Sequence, residues 1–204
     1  GTCHDVSNPV FTRNAQGKYE PNAFDSAAPD ADPYTLFPVE RTYSEWKMSA
    51  YNSTQGVYAP QFGGNKDTVR TCQDCHMRDV TGVGCNKSGA PVRDDLPLHD
   101  MTGGNTFMPP LVQELYPDDV DSAALWEGID RARAMLQKAA SMDLSSSQQG
   151  SNFQIDVQIT NETGHKLPSG YPEGRRIWIN VRAYNNSAQL IYESGAYDPV
   201  TAYL

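Results

Sequence analysis

Only one stretch of this chain repeats its apolar residues at helical spacing for long enough to specify a helix unaided. In "DSAALWEGIDRARAMLQKAASM", residues 121–142, Leu125, Ile129, Ala132, Leu136 and Ala139 fall on one face, and Asp121 or Ser122 stands where an N-cap is needed. The first 70 residues show almost no period, with proline, aspartate and asparagine throughout ("DSAAPDADPYTLFP"). The exception is a short helix predicted over 39–51, where Tyr43, Trp46 and Ala50 share a face. Residues 52–120 read as loop, punctuated by "FGGN", "TGVG" and "TGGN". Beyond the long helix, "DLSSSQQGS" (143–151) reads as a polar linker. "FQIDVQIT", "RRIWINVRAY" and "QLIYESG" then alternate apolar and polar residues with β-branched and aromatic enrichment, which predicts strands. The expected fold is α+β. A loop-rich segment with few helices covers 1–142 and ends in the helix of 121–142; a small β-sandwich-like unit, lacking later strands, covers 151–204.

Such a chain is short of material for a core. Hydrophobic residues other than glycine make up 38% of its 204 residues, with 16 glycines and 14 prolines, against roughly 45–50% in ordinary domains when glycine is counted with the apolar set. A large flat cofactor would fill the interior that the side chains cannot. Sixteen basic against twenty-five acidic residues give a net charge of -9, which argues against a nucleic-acid surface. No apolar run approaches the roughly 18 residues that a transmembrane helix needs. No signal peptide is visible, and the abrupt start at "GTCH" and end at "AYDPVTAYL" lead us to expect a fragment of a longer protein.

Chemistry concentrates in four cysteines and four histidines. Cys72-Gln73-Asp74-Cys75-His76 has the C-x-x-C-H spacing of covalent c-type haem attachment. Two thiols separated by one turn of chain reach the two vinyl groups of a porphyrin, and the adjacent histidine lies under the ring as proximal iron ligand. Three other readings stay open at this level. A zinc site would recruit Cys85 and His99 to make a Cys3His set; a redox dithiol would want a βαβ context, which is missing; and two cysteines can be incidental. At the amino end, Cys3-His4 is what a second such motif looks like when cut at its first cysteine.

The histidine count suits this account. With His4 and His76 proximal, His99 and His165 remain as distal ligands for two haems, although Met101 or Met108 can replace either. His165 lies in a tight Thr-Gly-His turn after a strand, where loop tips commonly present ligands, or else is an exposed hairpin histidine. His99 precedes Asp100, which can accept its second imidazole N–H, and Gly103-Gly104 allow close approach of a flat ring. Arg175 and Arg176 either pair with haem propionates or are surface charges. Cys85 is free, bonded to an absent segment, or a sign that the Cys3-His4 site is misread.

"WKMSAY…TCQDCHM", "PLHDMTGGNTFMP" and "NETGHKLPSGYPEGRRIWI" resemble segments of bacterial multihaem c-type cytochromes, including the group related to hydroxylamine-oxidoreductase-like proteins. The resemblance runs from about residue 40 to 182, with "GTCHDVSNP" a further match. It implies that the histidine of T-G-H-x-x-P-S-G, here His165, is a distal haem ligand. It also implies a histidine at the end of W-x-x-S-x-H, where this chain has Tyr51; that departure removes one ligand and the support for a complete catalytic set.

The function expected is electron transfer through two bis-histidine c-type haems, with no open iron position for substrate. Partners would be other redox proteins or further haem-bearing segments, in assemblies larger than one chain, and the compartment periplasmic or extracellular, where haem is attached covalently. The alternative is a haem enzyme acting on small nitrogen or sulfur compounds at one open iron, with Tyr43, Tyr51 and Tyr58 lining a pocket.

Overall fold

The computed structural model describes residues 2–26, 28–29 and 32–204, Thr2 by its backbone alone. Gly1 of the "GTCH" start, and Ala27, Asp30 and Ala31 of the "DSAAPDADPYTLFP" stretch, lie outside the described residues. The architecture is α+β and rich in loop, with few helices and several small antiparallel sheets. The chain gathers into two discontinuous compact units, one of residues 1–5 and 41–166 and the other of 6–40 and 167–204. The contacts therefore group differently from a division into 1–142 and 151–204.

The first unit is built on a small cluster of Tyr51, Ala59, Phe62 and Val69, with Trp46, Val57, Cys75 and Met135 packed against it. Among the described residues only Val69 is completely buried among the larger side chains. Up to Pro97 its elements are short because turns interrupt them every few residues. The helix predicted over 39–51 is a helix at Thr42–Lys47, then a 3-10 turn at Ala50–Asn52 after Ser49 adopts an extended conformation. Strands Val57–Tyr58 and Thr68–Val69 pair around a short helix, Pro60–Gly63. Gly64 then turns with φ +70 so closely against the Asp79 carbonyl that a Cβ would lie 2.1 Å from it, which only glycine allows. A five-residue helix, Cys72–His76, and the hairpin Asp79–Val83 with Val92–Pro97 follow.

Helix Met108–Leu115 falls where the sequence reads as loop. Pro109 and Pro110 look like breakers, but they occupy its first turn, where the missing N–H has no intrahelical partner to lose. Asn105 accepts from the Phe107 and Met108 N–H groups at 2.9 Å, capping that turn. The long helix spans Ser122–Lys138, capped by Asp121 and burying Ile129 and Ala132. It stops short of 142 because Ala140 already pairs with Asn161.

The polar stretch read as a linker is a strand, Ala140–Gln149, paired with Asn152–Asn161 across a Gly150 turn. Asp143, Ser145 and Ser147 lie opposite Gln158, Asp156 and Gln154 on one face, and Met142, Leu144, Ser146 and Gln148 lie opposite Ile159, Val157, Ile155 and Phe153 on the other. Partner pairing, not local composition, makes it a strand.

The second unit holds a three-stranded antiparallel sheet, Tyr19–Pro21, Ser7–Arg13 and Leu36–Pro38, with Phe37 packed between Phe11 and Tyr19. A hairpin, Val181–Tyr184 with Leu190–Ser194, takes up only the later part of the predicted "RRIWINVRAY" strand.

Candidate functional site

The attachment motif folds as a helix because its own residues cap it. Thr71 Oγ1 accepts the Asp74 N–H at 3.3 Å, and Asp74 accepts the N–H groups of Thr71 (2.9 Å) and Arg70 (2.8 Å), a capping box. Asp74 is thus a structural residue, legible in the Thr71-x-x-Asp74 spacing. Lys66 bridges it at 3.0 Å to Asp79 at 2.9 Å, anchoring the helix to the following hairpin. Burial pushes the Asp74 carboxyl up, but the N–H groups of Thr71 and Arg70 and the Lys66 ammonium outweigh that and leave it below the ordinary carboxylate value.

Cys72 is exposed and Cys75 half-buried against the core cluster. The Cys75 thiol is pushed up from 9.0 to about 12 by burial first, then by the neighbouring Asp74 and Cys72 charges. Among the described residues no three His, Cys, Asp or Glu side chains converge in a way that could hold a metal ion. Cys85 and His99 therefore do not complete a zinc set with the motif. All four cysteines are thiols.

Where the fold brings two sequence-predicted ligands together is at His76 and His165. Their rings are within 12° of parallel, with centroids 6.4 Å apart. Two imidazoles bound to one ion from opposite sides need two metal–nitrogen bonds of about 2 Å and two ring radii of about 1.1 Å, roughly 6.2 Å in all. Both rings are oriented through Nδ1, which faces the Thr102 carbonyl at 2.5 Å in His76 and the Lys166 carbonyl at 3.0 Å in His165. A carbonyl only accepts, so Nδ1 carries the proton in each ring and Nε2 keeps the lone pair a metal requires.

The His165 loop is held from outside itself. The buried Tyr51 hydroxyl donates to the Glu162 carbonyl just before it, and the Lys166 N–H donates to Glu45 at 3.0 Å just after it. Within the turn, Asn161 Nδ2 and Thr163 Oγ1 both donate to the His165 carbonyl. Gly164 lies against Trp46 and Tyr51, where a Cβ would come within 3.3–3.4 Å of both rings. Trp46 in turn donates through Nε1 to the Arg70 carbonyl at 2.9 Å, next to the attachment helix. Burial, followed by the Cys75 and Glu162 charges, pushes the Tyr51 hydroxyl up from 10.0 to about 12 and keeps it a donor.

No protein-family model, curated protein or solved structure matches this chain. The site is read from its own residues.

The remaining candidates fall as follows. His99 is exposed in the turn after Val92–Pro97, and the ring parallel to His76 is that of His165. Asp100, expected beside the His99 imidazole, pairs instead with Arg78 at 2.7 Å. Cys3 and His4 form an exposed 3-10 turn of the first unit, and the next residue, Asp5, accepts from Ser44 Oγ of the Thr42–Lys47 helix at 2.7 Å. Arg175 and Arg176 are exposed residues of the second unit, and Arg176 donates to the Ala202 carbonyl at 2.6 Å. Of the three tyrosines offered as a pocket, Tyr51 is committed to Glu162 and Tyr58 is 74% exposed.

Proposed function

We propose that this chain is an electron-transfer segment of a multihaem c-type cytochrome. Haem c would be tethered by thioethers at Cys72 and Cys75, with His76 and His165 as axial ligands. The carrying observation is the near-parallel pair of imidazoles at 6.4 Å, each with Nδ1 spent on a backbone carbonyl. A haem bound there supplies a one-electron ferric/ferrous couple. The chain's own part is positioning: the capped helix presents both thiols and His76, while Tyr51, Glu45 and Gly164 hold His165 opposite. Two histidine ligands would leave such a haem no free position for substrate, which favours electron transfer over catalysis at iron. The thin core and the exposed Met101 next to Thr102 (71%) suit a large flat cofactor covering this surface. Cys3 and His4 are the candidate second attachment point. Redox proteins or further haem-bearing segments are the proposed partners and the periplasm or cell exterior the proposed location. Among the described residues no helix is long and apolar enough to cross a membrane.

The test is co-expression with a c-type haem maturation system, followed by intact mass and absorption spectra. An added haem mass on the Cys72–Cys75 peptide is expected, and a second on the Cys3 peptide would assign the other site. His165→Ala should convert a low-spin spectrum to one that shifts with carbon monoxide, while His99→Ala should not. A colourless chain of unmodified mass overturns the proposal.

A further inference from the structure

The segment that receives the His76 N–H is itself clamped by ion pairs around one buried carboxylate. The Asp100 carboxylate is 8% exposed and takes the Arg78 guanidinium at 2.7 Å, with Arg131 of the Ser122–Lys138 helix 3.8 Å away. Arg78 is two residues beyond His76, and Asp100 is two residues before Thr102. One ion pair thus ties the attachment helix to the strand-end loop whose carbonyl meets His76 at 2.5 Å. A backbone bond doubles the tie, Leu98 N–H to the Arg78 carbonyl at 3.1 Å. Between the two functional positions, Met101 adopts φ 43, a left-handed conformation that a residue with a Cβ takes only when its surroundings force it. That reversal sends the Asp100 side chain to Arg78 and the Thr102 carbonyl to His76. Asp100 Oδ1, Thr102 Oγ1 and Arg131 Nε are buried polar atoms with no hydrogen-bond partner in the protein, so fixed charge is kept here at a desolvation cost that packing alone does not require.

We infer that Asp100 and Arg78 are positioning residues for the proximal ligand. Their ion pair holds the Thr102 carbonyl against His76 Nδ1–H and so sets the imidazole's orientation and its donor strength toward iron. This rests on the reading of His76 as an iron ligand. A strong Nδ1–H bond to a carbonyl makes the imidazole more anionic, which stabilises ferric iron and lowers the reduction potential. Breaking the clamp loosens that bond and raises the potential.

Asp100→Asn and Arg78→Gln separate this from simple charge effects. Removing a nearby negative charge by itself raises the potential, and removing a positive one lowers it. Acting through His76, both substitutions raise it, by about tenfold in the ferric/ferrous equilibrium or ~59 mV for one electron. Both also change the low-spin ferric electron paramagnetic resonance signal, which reports the angle between the imidazole planes. Asp95→Asn, in the exposed Arg93–Asp95 pair on the same hairpin, should leave that signal in place. Potentials that move in opposite directions, or an unchanged resonance signal in both variants, overturn the inference. If Asp100→Asn fails to take up haem, the sign of the Arg78→Gln shift decides; if Arg78→Gln fails, the resonance signal of Asp100→Asn decides. Failure of the wild-type chain itself to acquire haem would strike the reading of His76, which separates the two outcomes.

Discussion

Replacing Tyr51 by phenylalanine asks whether the loop carrying His165 is held by a residue more than a hundred positions earlier. The substitution deletes one oxygen and leaves the ring in its cluster with Ala59, Phe62 and Val69. It removes the hydroxyl that donates to the Glu162 carbonyl. Such a bond contributes about 1 kcal/mol net, and a stranded acceptor adds up to about 3 kcal/mol where water cannot reach it. Glu162 is half-buried, so water recovers part of that and the expected loss is about 1–2 kcal/mol. A pH signature accompanies it. Tyr51 titrates at about 12 in the fold against 10.0 ordinarily, so the folded state binds this proton more tightly than the unfolded chain does. That contribution is complete below pH 10 and is lost as pH rises through about 12, roughly 3 kcal/mol over the two units. The phenylalanine variant has no such proton, so the stability gap between the proteins should narrow above pH 10. Urea midpoints at pH 7, 10 and 11 measure the gap. In the haem-loaded chain, faster carbon monoxide binding to the ferrous form reports a looser His165. Equal midpoints at pH 7, together with unchanged carbon monoxide binding, would refute the claim that Tyr51 anchors the loop.

Two further predictions concern the attachment helix. Before haem is attached, Cys75 at about 12 against its ordinary 9.0 carries about a thousandfold less thiolate near pH 8. Alkylation mapped by mass should therefore mark the exposed Cys3, Cys72 and Cys85 well ahead of Cys75, and equal rates at Cys72 and Cys75 would contradict that burial. Lys66→Met leaves Asp74 and Asp79 without their shared cation and should cost about 1–2 kcal/mol by denaturant titration, Lys66 being partly exposed. Because the Asp74 carboxyl lies below its ordinary 3.8, its contribution is present above pH 3.8 and lost as pH falls below it. The variant should accordingly show an acid-unfolding midpoint moved upward, and an unmoved midpoint would argue against the bridge.

Local signals carried well where a single segment held all the information. Asp121 caps the long helix and Ile129 and Ala132 line its buried face, because a seventeen-residue helix repeats its pattern often enough to be unambiguous. The strand Asn152–Asn161 was equally plain from its alternation. Its partner was not: "DLSSSQQ" has nothing apolar to bury on one face, and only the register opposite Gln154, Asp156 and Gln158 makes it a strand. Met108–Leu115 was hidden by its prolines, which break a helix in its middle and fit it at the start. The bond of Tyr51 to Glu162 joins residues more than a hundred positions apart and leaves no local trace in the sequence.

The candidate site divides along the same line. Cys72, Cys75 and His76 are neighbours in one turn of chain, so their spacing alone narrows the chemistry to haem attachment, a metal site or a dithiol. The residue opposite His76 lies some ninety positions away, and His99 and His165 were equal contenders because spacing says nothing about contacts between distant loops. Packing separates them: Gly164 lets the loop close on Trp46 and Tyr51, and the His165 ring lies within 12° of parallel to His76 at 6.4 Å. The same closure gave Asp100 to Arg78 rather than to His99. Residue types and short spacings determine which groups are chemically able to bind; only the folded chain, by choosing which distant carbonyls and carboxylates meet them, determines which of them come together and how they are oriented.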